Sequence, residues 1–189
     1  MFKNCLIIGV CSFSLFSAKA FAQIKSSTEH NGYYVDIAYT LVDSKDTSSF
    51  NMGTWKPTLA RITAGKEVAE NLAVEGIITQ GINSDSVTYD SNDYKLKLNS
   101  GYGIAVRPFM KATDEIELYG RVGWLQYKQT ISVNSTSYDD TFNLYFWSLG
   151  LAYKITDNLS AVFDYTKMQQ KEKTSADTSL TAIGFRYRF

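Results

Sequence analysis

Histidine, the most versatile general base and metal ligand, occurs once in the 189-residue chain, as His30, and the two cysteines, Cys5 and Cys11, lie near its start. A zinc centre needs several such ligands, and a nucleophilic triad needs its base held by a partner, so neither chemistry is expected. The acids Asp85, Asp90, Asp93, Asp139 and Asp140 fit no calcium-loop spacing and are expected as solvated side chains. No metal, no cofactor and no enzyme activity are expected. The charges that recur in a regular pattern are different ones: Asp36, Arg61, Glu75, Glu117, Arg121, Asp164 and Arg186. They alternate with apolar neighbours, which is the pattern of a network of ion pairs enclosed by strands.

Residues 1–22 have the layout of an export leader: Lys3, an apolar centre from Leu6 to Phe16, and the small-residue site Ala20-Phe21-Ala22. The mature chain is expected to begin at Gln23. Cleavage there removes both cysteines, so no disulfide framework is expected. It also removes Lys3 and Lys19 but no acid, which turns a balanced chain of 19 Lys+Arg and 19 Asp+Glu slightly acidic. Without a basic excess, nucleic acid is not an expected partner.

The remainder, 23–189, is expected to be one domain. Polar clusters at Asp43–Asn51, Asn83–Asp93, Asn134–Asp140 and Lys171–Thr178 alternate with short breaks near Val68-Ala69, Pro108–Asp114 and Thr156–Asn158. Between them lie eight segments, roughly 33–42, 56–66, 71–82, 94–107, 115–130, 142–155, 159–169 and 179–189. Each carries the two-residue period of a strand. Ile116, Leu118, Val122 and Trp124 fall on one face of the fifth segment, for instance, with Glu117, Tyr119, Arg121 and Gly123 on the other. Ala64–Ile78 has the residue types of a helix but alternates as a hairpin. With its turn centred on Val68, Arg61 and Glu75 would lie directly opposite each other. Both prolines, Pro57 and Pro108, are expected at strand ends, where a missing N–H does no harm.

Alternation leaves open which face points outward, and side-chain volume decides it. The apolar faces carry Tyr33, Tyr39, Tyr102, Trp124, Tyr145, Trp147, Tyr153, Phe163, Tyr165, Phe185 and Tyr187, too many rings for the interior of an eight-stranded cylinder. The opposite faces pair glycines with charges, as a crowded polar interior would. The expected fold is therefore an all-β, eight-stranded, antiparallel, up-and-down transmembrane β-barrel, with apolar side chains on lipid and longer loops at the outer end. The inward set would be Asp36, Arg61, Glu75, Lys95, Lys97, Arg107, Glu117, Arg121, Lys154, Asp164, Arg186 and Arg188.

The last strand, with Ile183, Phe185, Tyr187 and the terminal Phe189, resembles the C-terminal signature strand of bacterial outer-membrane β-barrels. The mature chain as a whole is similar to the small eight-stranded group that includes the OmpA transmembrane domain, OmpX-type proteins and opacity-like surface proteins. That resemblance implies residence in the bacterial outer membrane and recognition of the terminal strand by the outer-membrane assembly machinery. It also implies a monomer surrounded by outer-membrane lipid and lipopolysaccharide. No peptidoglycan-binding domain is expected after the barrel, so cell-wall anchoring is not carried over. Lys167, Lys171 and Lys173 lie at the last outer loop and are expected as a solvated charge run, with contact to lipopolysaccharide phosphates as the alternative.

The expected function is structural or surface-interacting, with the outer loops touching lipopolysaccharide, other cells or a host. Two alternatives use the same residues differently. A narrow ion or small-solute channel would run water along the inward charges, and a soluble periplasmic lipocalin-like binder would turn the aromatic rings inward around a ligand.

Overall fold

The computed structural model describes residues 31–49, 52–134, 136–170 and 176–189. The proposed leader, His30, Lys171 and Lys173 lie outside the described residues. Two-residue alternation produces eight long strands: β1 (Tyr33–Asp46), β3 (Thr58–Ala69), β4 (Leu72–Asn83), β6 (Asn92–Lys111), β7 (Ile116–Val133), β8 (Thr136–Lys154), β9 (Leu159–Gln170) and β10 (Ala176–Arg188). Each pairs antiparallel with its neighbours, and β10 returns to β1, with Asp36 opposite Arg186. The sheet is thereby a closed, eight-stranded, antiparallel barrel. Two short strands, β2 (Thr54–Trp55) on β1 and β5 (Asp85–Tyr89) on β6, add to it at one end. Among the described residues no helix is long and apolar enough to cross a membrane; the strands cross instead.

The outward positions hold Ile37, Ile62, Ile78, Ile104, Val122, Leu149 and Ile183, all exposed, together with the rings of Tyr33, Tyr102, Tyr145, Trp147, Phe163, Phe185 and Tyr187. The chain thus turns its aromatics outward, opposite to the lipocalin-like arrangement. The four fully buried rings point inward, and each lies directly across from a glycine on the next strand: Tyr34 on Gly65, Tyr127 on Gly101, Phe146 on Gly123 and Tyr119 on Gly150. A Cβ at Gly65 would sit 2.1 Å from the Tyr34 ring, and one at Gly150 would sit 2.5 Å from that of Tyr119. The glycines therefore make room for the few large interior side chains.

Short turns gather at the end that also holds Tyr33 and Phe189. Glu70-Asn71 closes β3 to β4 with Asn71 in the left-handed region (φ 64°), which asparagine tolerates. This turn lies beyond the expected Val68, and the hairpin register moves with it. Arg61 faces Thr79, and Glu75 faces Gly65, so Arg61 and Glu75 are not cross-strand partners.

At the opposite end the polar clusters are more strand than loop. β5 falls within Asn83–Asp93, where Asp90 (φ 48°) and Ser91 (φ 62°) form the two-residue turn favoured by hairpin twist. β7 and β8 remain paired as far as Val133 and Thr136, so the Asn134–Asp140 cluster forms the tip and one flank of a hairpin. β6, β7 and β8 have 20, 18 and 19 residues, whereas a tilted strand crosses the hydrocarbon in about 9–11. These three strands must project well beyond the bilayer. Pro108 lies inside β6 and not at its end, exposed on the outer wall, where the ladder to β7 is interrupted between Val106↔Val122 and Phe109↔Tyr119.

Candidate functional site

The inner half of the barrel lumen, nearest the short turns, is filled by charge. Asp36 on β1 accepts two bonds from Arg186 on β10, from Nε at 2.7 Å and Nη2 at 2.8 Å. Arg121 on β7 spans the lumen. Its Nε donates to Glu75 on β4 at 2.6 Å, its Nη1 to Asp164 on β9 at 2.9 Å and its Nη2 to Asp36 at 2.9 Å. Arg61 on β3 binds both oxygens of Asp164, at 3.0 and 2.5 Å. Glu117 on β7 accepts from Arg107, from Arg186 Nη1 at 2.9 Å and from Arg188 Nη2 at 2.7 Å. All seven charges expected to form an interior network are therefore placed in one cluster, with Arg61 joined to Asp164 instead of Glu75.

Three residues outside that set complete it. Tyr34 donates to Glu75 at 2.7 Å, and Tyr119 donates to Asp164 at 3.2 Å. Arg107 lies 4.4 Å from the Tyr119 ring centre, 4.9 Å from that of Phe109 and 5.4 Å from that of Tyr34, and the Arg186 guanidinium lies 4.4 Å from Tyr34. These rings offer their negative faces to cations cut off from water. Tyr34 and Tyr119 share the inward parity of Asp36 and Glu117, and that parity is the signal by which sequence reading could have included them.

The cluster is balanced, since the buried guanidiniums Arg61, Arg107, Arg121 and Arg186 meet the buried carboxylates Asp36, Glu75, Glu117 and Asp164. An isolated buried ion costs several kcal/mol, so matched geometry of this kind is the condition for keeping charge in the lumen. β8 brings only Ala152, Gly150 and Ser148 to this level, and its small side chains admit Tyr119. Arg188 sits at the inner rim, 3.9 Å from Glu67.

Other inward expectations fail for a local reason. A β-bulge between Leu98 and Ser100 inserts one residue into β6 and reverses its faces beyond that point. Leu98 thereby turns into the lumen, and Lys95 and Lys97 are exposed. Lys154, past the inner rim, is also exposed and pairs with Asp157 at 2.7 Å. The outer acids bind neighbouring segments: Asp85 accepts from the Lys56 N–H at 2.6 Å, Asp93 from Thr88 at 2.6 Å and Asp139 from Thr130 at 2.6 Å. Lys167 pairs with Asp177 across β9 and β10. Among the described residues no group of His, Cys, Asp and Glu is arranged to hold a metal ion.

The outer half of the lumen is not polar, contrary to the expected polar interior. Val42, Leu59, Ile77, Leu98, Leu125, Tyr127, Leu144, Phe146, Met168 and Leu180 pack into one apolar cluster, with Phe142 stacked on Tyr127 at 6.2 Å. Most of these residues lie an even number of positions from a network residue on the same strand, as Ile77 from Glu75 and Leu59 from Arg61. The same inward face therefore changes chemistry along the barrel.

The family model for the outer membrane protein beta-barrel domain matches residues 8–189. No curated protein matches the chain in sequence. Among solved structures, Neisserial surface protein A is 17% identical, with a TM-score of 0.64 over 86% of this chain and 100% of its own. The attachment invasion locus protein Ail of Yersinia pestis is 17% identical, with a TM-score of 0.60 over 84% of this chain and 99% of its own. The N-terminal β-barrel domain of Pseudomonas aeruginosa OprF is 12% identical, with a TM-score of 0.55 over 85% of this chain and 100% of that domain. At these identities the likeness is one of fold.

Proposed function

The chain belongs to the outer membrane protein beta-barrel domain family and resides in the bacterial outer membrane, and on that premise we propose that it is a non-enzymatic surface-interaction protein acting through its outer hairpins. The observation that carries this reading is the projection of β6, β7 and β8 beyond the bilayer as a ribbon of paired strands. Its exposed face is polar and cross-linked: Asn99 donates to Thr130, Thr130 to Asp139, and Ser132 lies 2.8 Å from Ser137. A ribbon ordered in this way offers a surface whose entropy cost of binding is already met. The filled lumen supports a closed barrel in preference to a channel.

The charge of the outer end narrows the partner. Among the described residues there, Asp43, Asp46, Asp85, Asp90, Asp93, Asp139, Asp140 and Asp177 face Lys45, Lys56, Lys95, Lys97, Lys128 and Lys167, and the Lys171-Glu172-Lys173 sequence of the last loop brings the two signs close to balance. One Ail structure is a complex with the heparin analogue sucrose octasulfate, but the near-balanced outer end of this chain offers a polyanion no net attraction and favours a neutral surface. Lipopolysaccharide is then met through its sugars or through bridging cations, and a host or neighbouring cell through the hairpin tips.

We further assign Ile183, Phe185, Tyr187 and Phe189 as the strand read by the assembly machinery, residues 1–22 as a leader cleaved before Gln23, and the working form as a monomer. The first three aromatic or apolar side chains line the outer face of β10, and Phe189 packs edge-on against Tyr187 at 5.1 Å.

The test replaces the ribbon tip, Gln129–Asp140, by a two-residue turn. The trimmed barrel should insert and remain heat-modifiable, while cells bearing it lose adhesion to lipopolysaccharide-coated surfaces and epithelial monolayers. Undiminished adhesion to both would overturn the surface role.

A further inference from the structure

Above the apolar layer, at the outer mouth, the barrel encloses a cavity of about 440 Å³, within the range of small-molecule sites. Its floor and most of its wall are apolar, with Leu59, Leu98, Tyr127, Leu144, Met168 and Leu180 among the lining side chains, and the wall hydroxyls of Ser44 and Thr178 bond each other at 3.0 Å. The segment Met52–Trp55, a strap ahead of β3, brings Met52 and Trp55 to the lining. The strap is built in: Asp46 accepts from the Ser48 N–H at 2.8 Å and the Met52 N–H at 2.9 Å, and the Trp55 indole donates to the Tyr94 carbonyl at 3.2 Å.

Water in such a space finds few polar partners, so an apolar occupant is favoured. Among the described residues the rim carries one lysine, Lys95, and one acid, Asp140, beside the neutral side chains of Gln129, Thr141 and Asn143. That balance selects no charged head group. The route of entry also limits the ligand. At the level of the apolar layer the wall is hydrogen-bonded all round, including β10 to β1, and the mouth above it lies on strands that project beyond the bilayer, so a two-chain bilayer lipid has no lateral way in from the membrane. The occupant must come singly from the aqueous side, which requires a molecule soluble enough to leave membranes.

We propose that the outer mouth is a binding site for the alkyl chain of an uncharged, single-chain amphiphile, held between the apolar layer and the Met52–Trp55 strap. The assignment depends on the lumen and the strap alone, so it stands or falls separately from adhesion through the hairpins.

Trp55 gives the readout. With Trp124→Phe and Trp147→Phe on the outer wall, Trp55 is the sole tryptophan, and the protein is folded into phosphatidylcholine vesicles. Titration with 11-bromoundecanol should quench Trp55 in a saturable manner. The anionic 11-bromoundecanoate and a bromoundecyl-trimethylammonium salt should need about ten-fold more, the equivalent of about 1.4 kcal/mol. Val42→Phe and Ser44→Phe each fill the cavity from β1, and in whichever of them folds to the heat-modifiable form the saturable phase should vanish. Quenching that only rises linearly with probe, as partition into the bilayer produces, would overturn the site, as would saturation that survives filling. A charged probe binding as tightly as the alcohol would overturn the assignment of an uncharged ligand.

Discussion

Three inward steps along β1 separate Asp36, held by two arginines, from Val42, packed in the apolar cluster beside its register partner Leu180. On β4 a single step separates Glu75 from Ile77, and on β3 a single step separates Arg61 from Leu59. The inner half of the lumen satisfies its side chains with long guanidiniums that reach across to several strands at once. The outer half fills the same width with branched aliphatics and two stacked rings. The contrast teaches that a narrow barrel keeps charge only where every carboxylate has a guanidinium or phenol within reach, and that an apolar layer can then close the lumen without any such matching. Two layers of opposite chemistry leave no continuous polar file from end to end.

The largest expected effect lies in the charged half. Arg121→Met leaves Asp36, Glu75 and Asp164 each short of a partner, and breaking a buried pair costs about 3–5 kcal/mol. Equilibrium urea unfolding in phosphatidylcholine vesicles measures it, and a loss below about 1 kcal/mol would show that water already solvates these acids. Leu59→Ala probes the apolar half. Leu59 is 1% exposed but borders the mouth cavity, so the expected loss is about 2–3 kcal/mol, near the lower end for a buried leucine. The same unfolding experiment reports it, and a cost exceeding that of Arg121→Met would reverse the ranking of the two halves.

The smallest effect belongs to the strap above the lumen, and it depends on pH. The Met52 N–H, followed by the Ser48 N–H, holds the Asp46 carboxyl below the usual carboxylate range. Folding therefore favours the ionised form. The contribution is complete above the ordinary carboxylate value and is lost as pH falls through the lowered one. Trp55 emission in the single-tryptophan protein should shift to longer wavelength over that acid window while the barrel stays folded. Asp46→Asn should remove the pH dependence, and an unaltered acid transition in that variant would place its origin elsewhere.

The barrel itself was legible because parity survives small errors. The hairpin turn lies at Glu70-Asn71 and not at Val68, yet Arg61 and Glu75 both keep their inward face, since the residue opposite Arg61 moves by an even number of positions, from Glu75 to Thr79. Partnership does not survive such errors, which is why Arg61 was matched to Glu75 when its carboxylate is Asp164, from a strand far along the chain. Parity itself breaks at a bulge. One inserted residue near Asn99 carries Lys95 and Lys97 out of the lumen and brings Leu98 in, and no residue there announces the bulge. The apolar outer layer was overlooked for another reason: Val42, Ile77 and Leu180 look the same on a lipid-facing as on a lumen-facing strand until parity with Asp36, Glu75 and Arg186 is followed through.

Conductance across a planar bilayer tests the closed, two-layered lumen most directly. The purified wild-type barrel, inserted at a density confirmed by its heat-modifiable band, should show no sustained steps at ±100 mV in molar salt. Repeated, discrete and lasting openings of the wild-type protein would contradict it, because they would require a polar path through both the arginine–carboxylate cluster and the apolar layer above it.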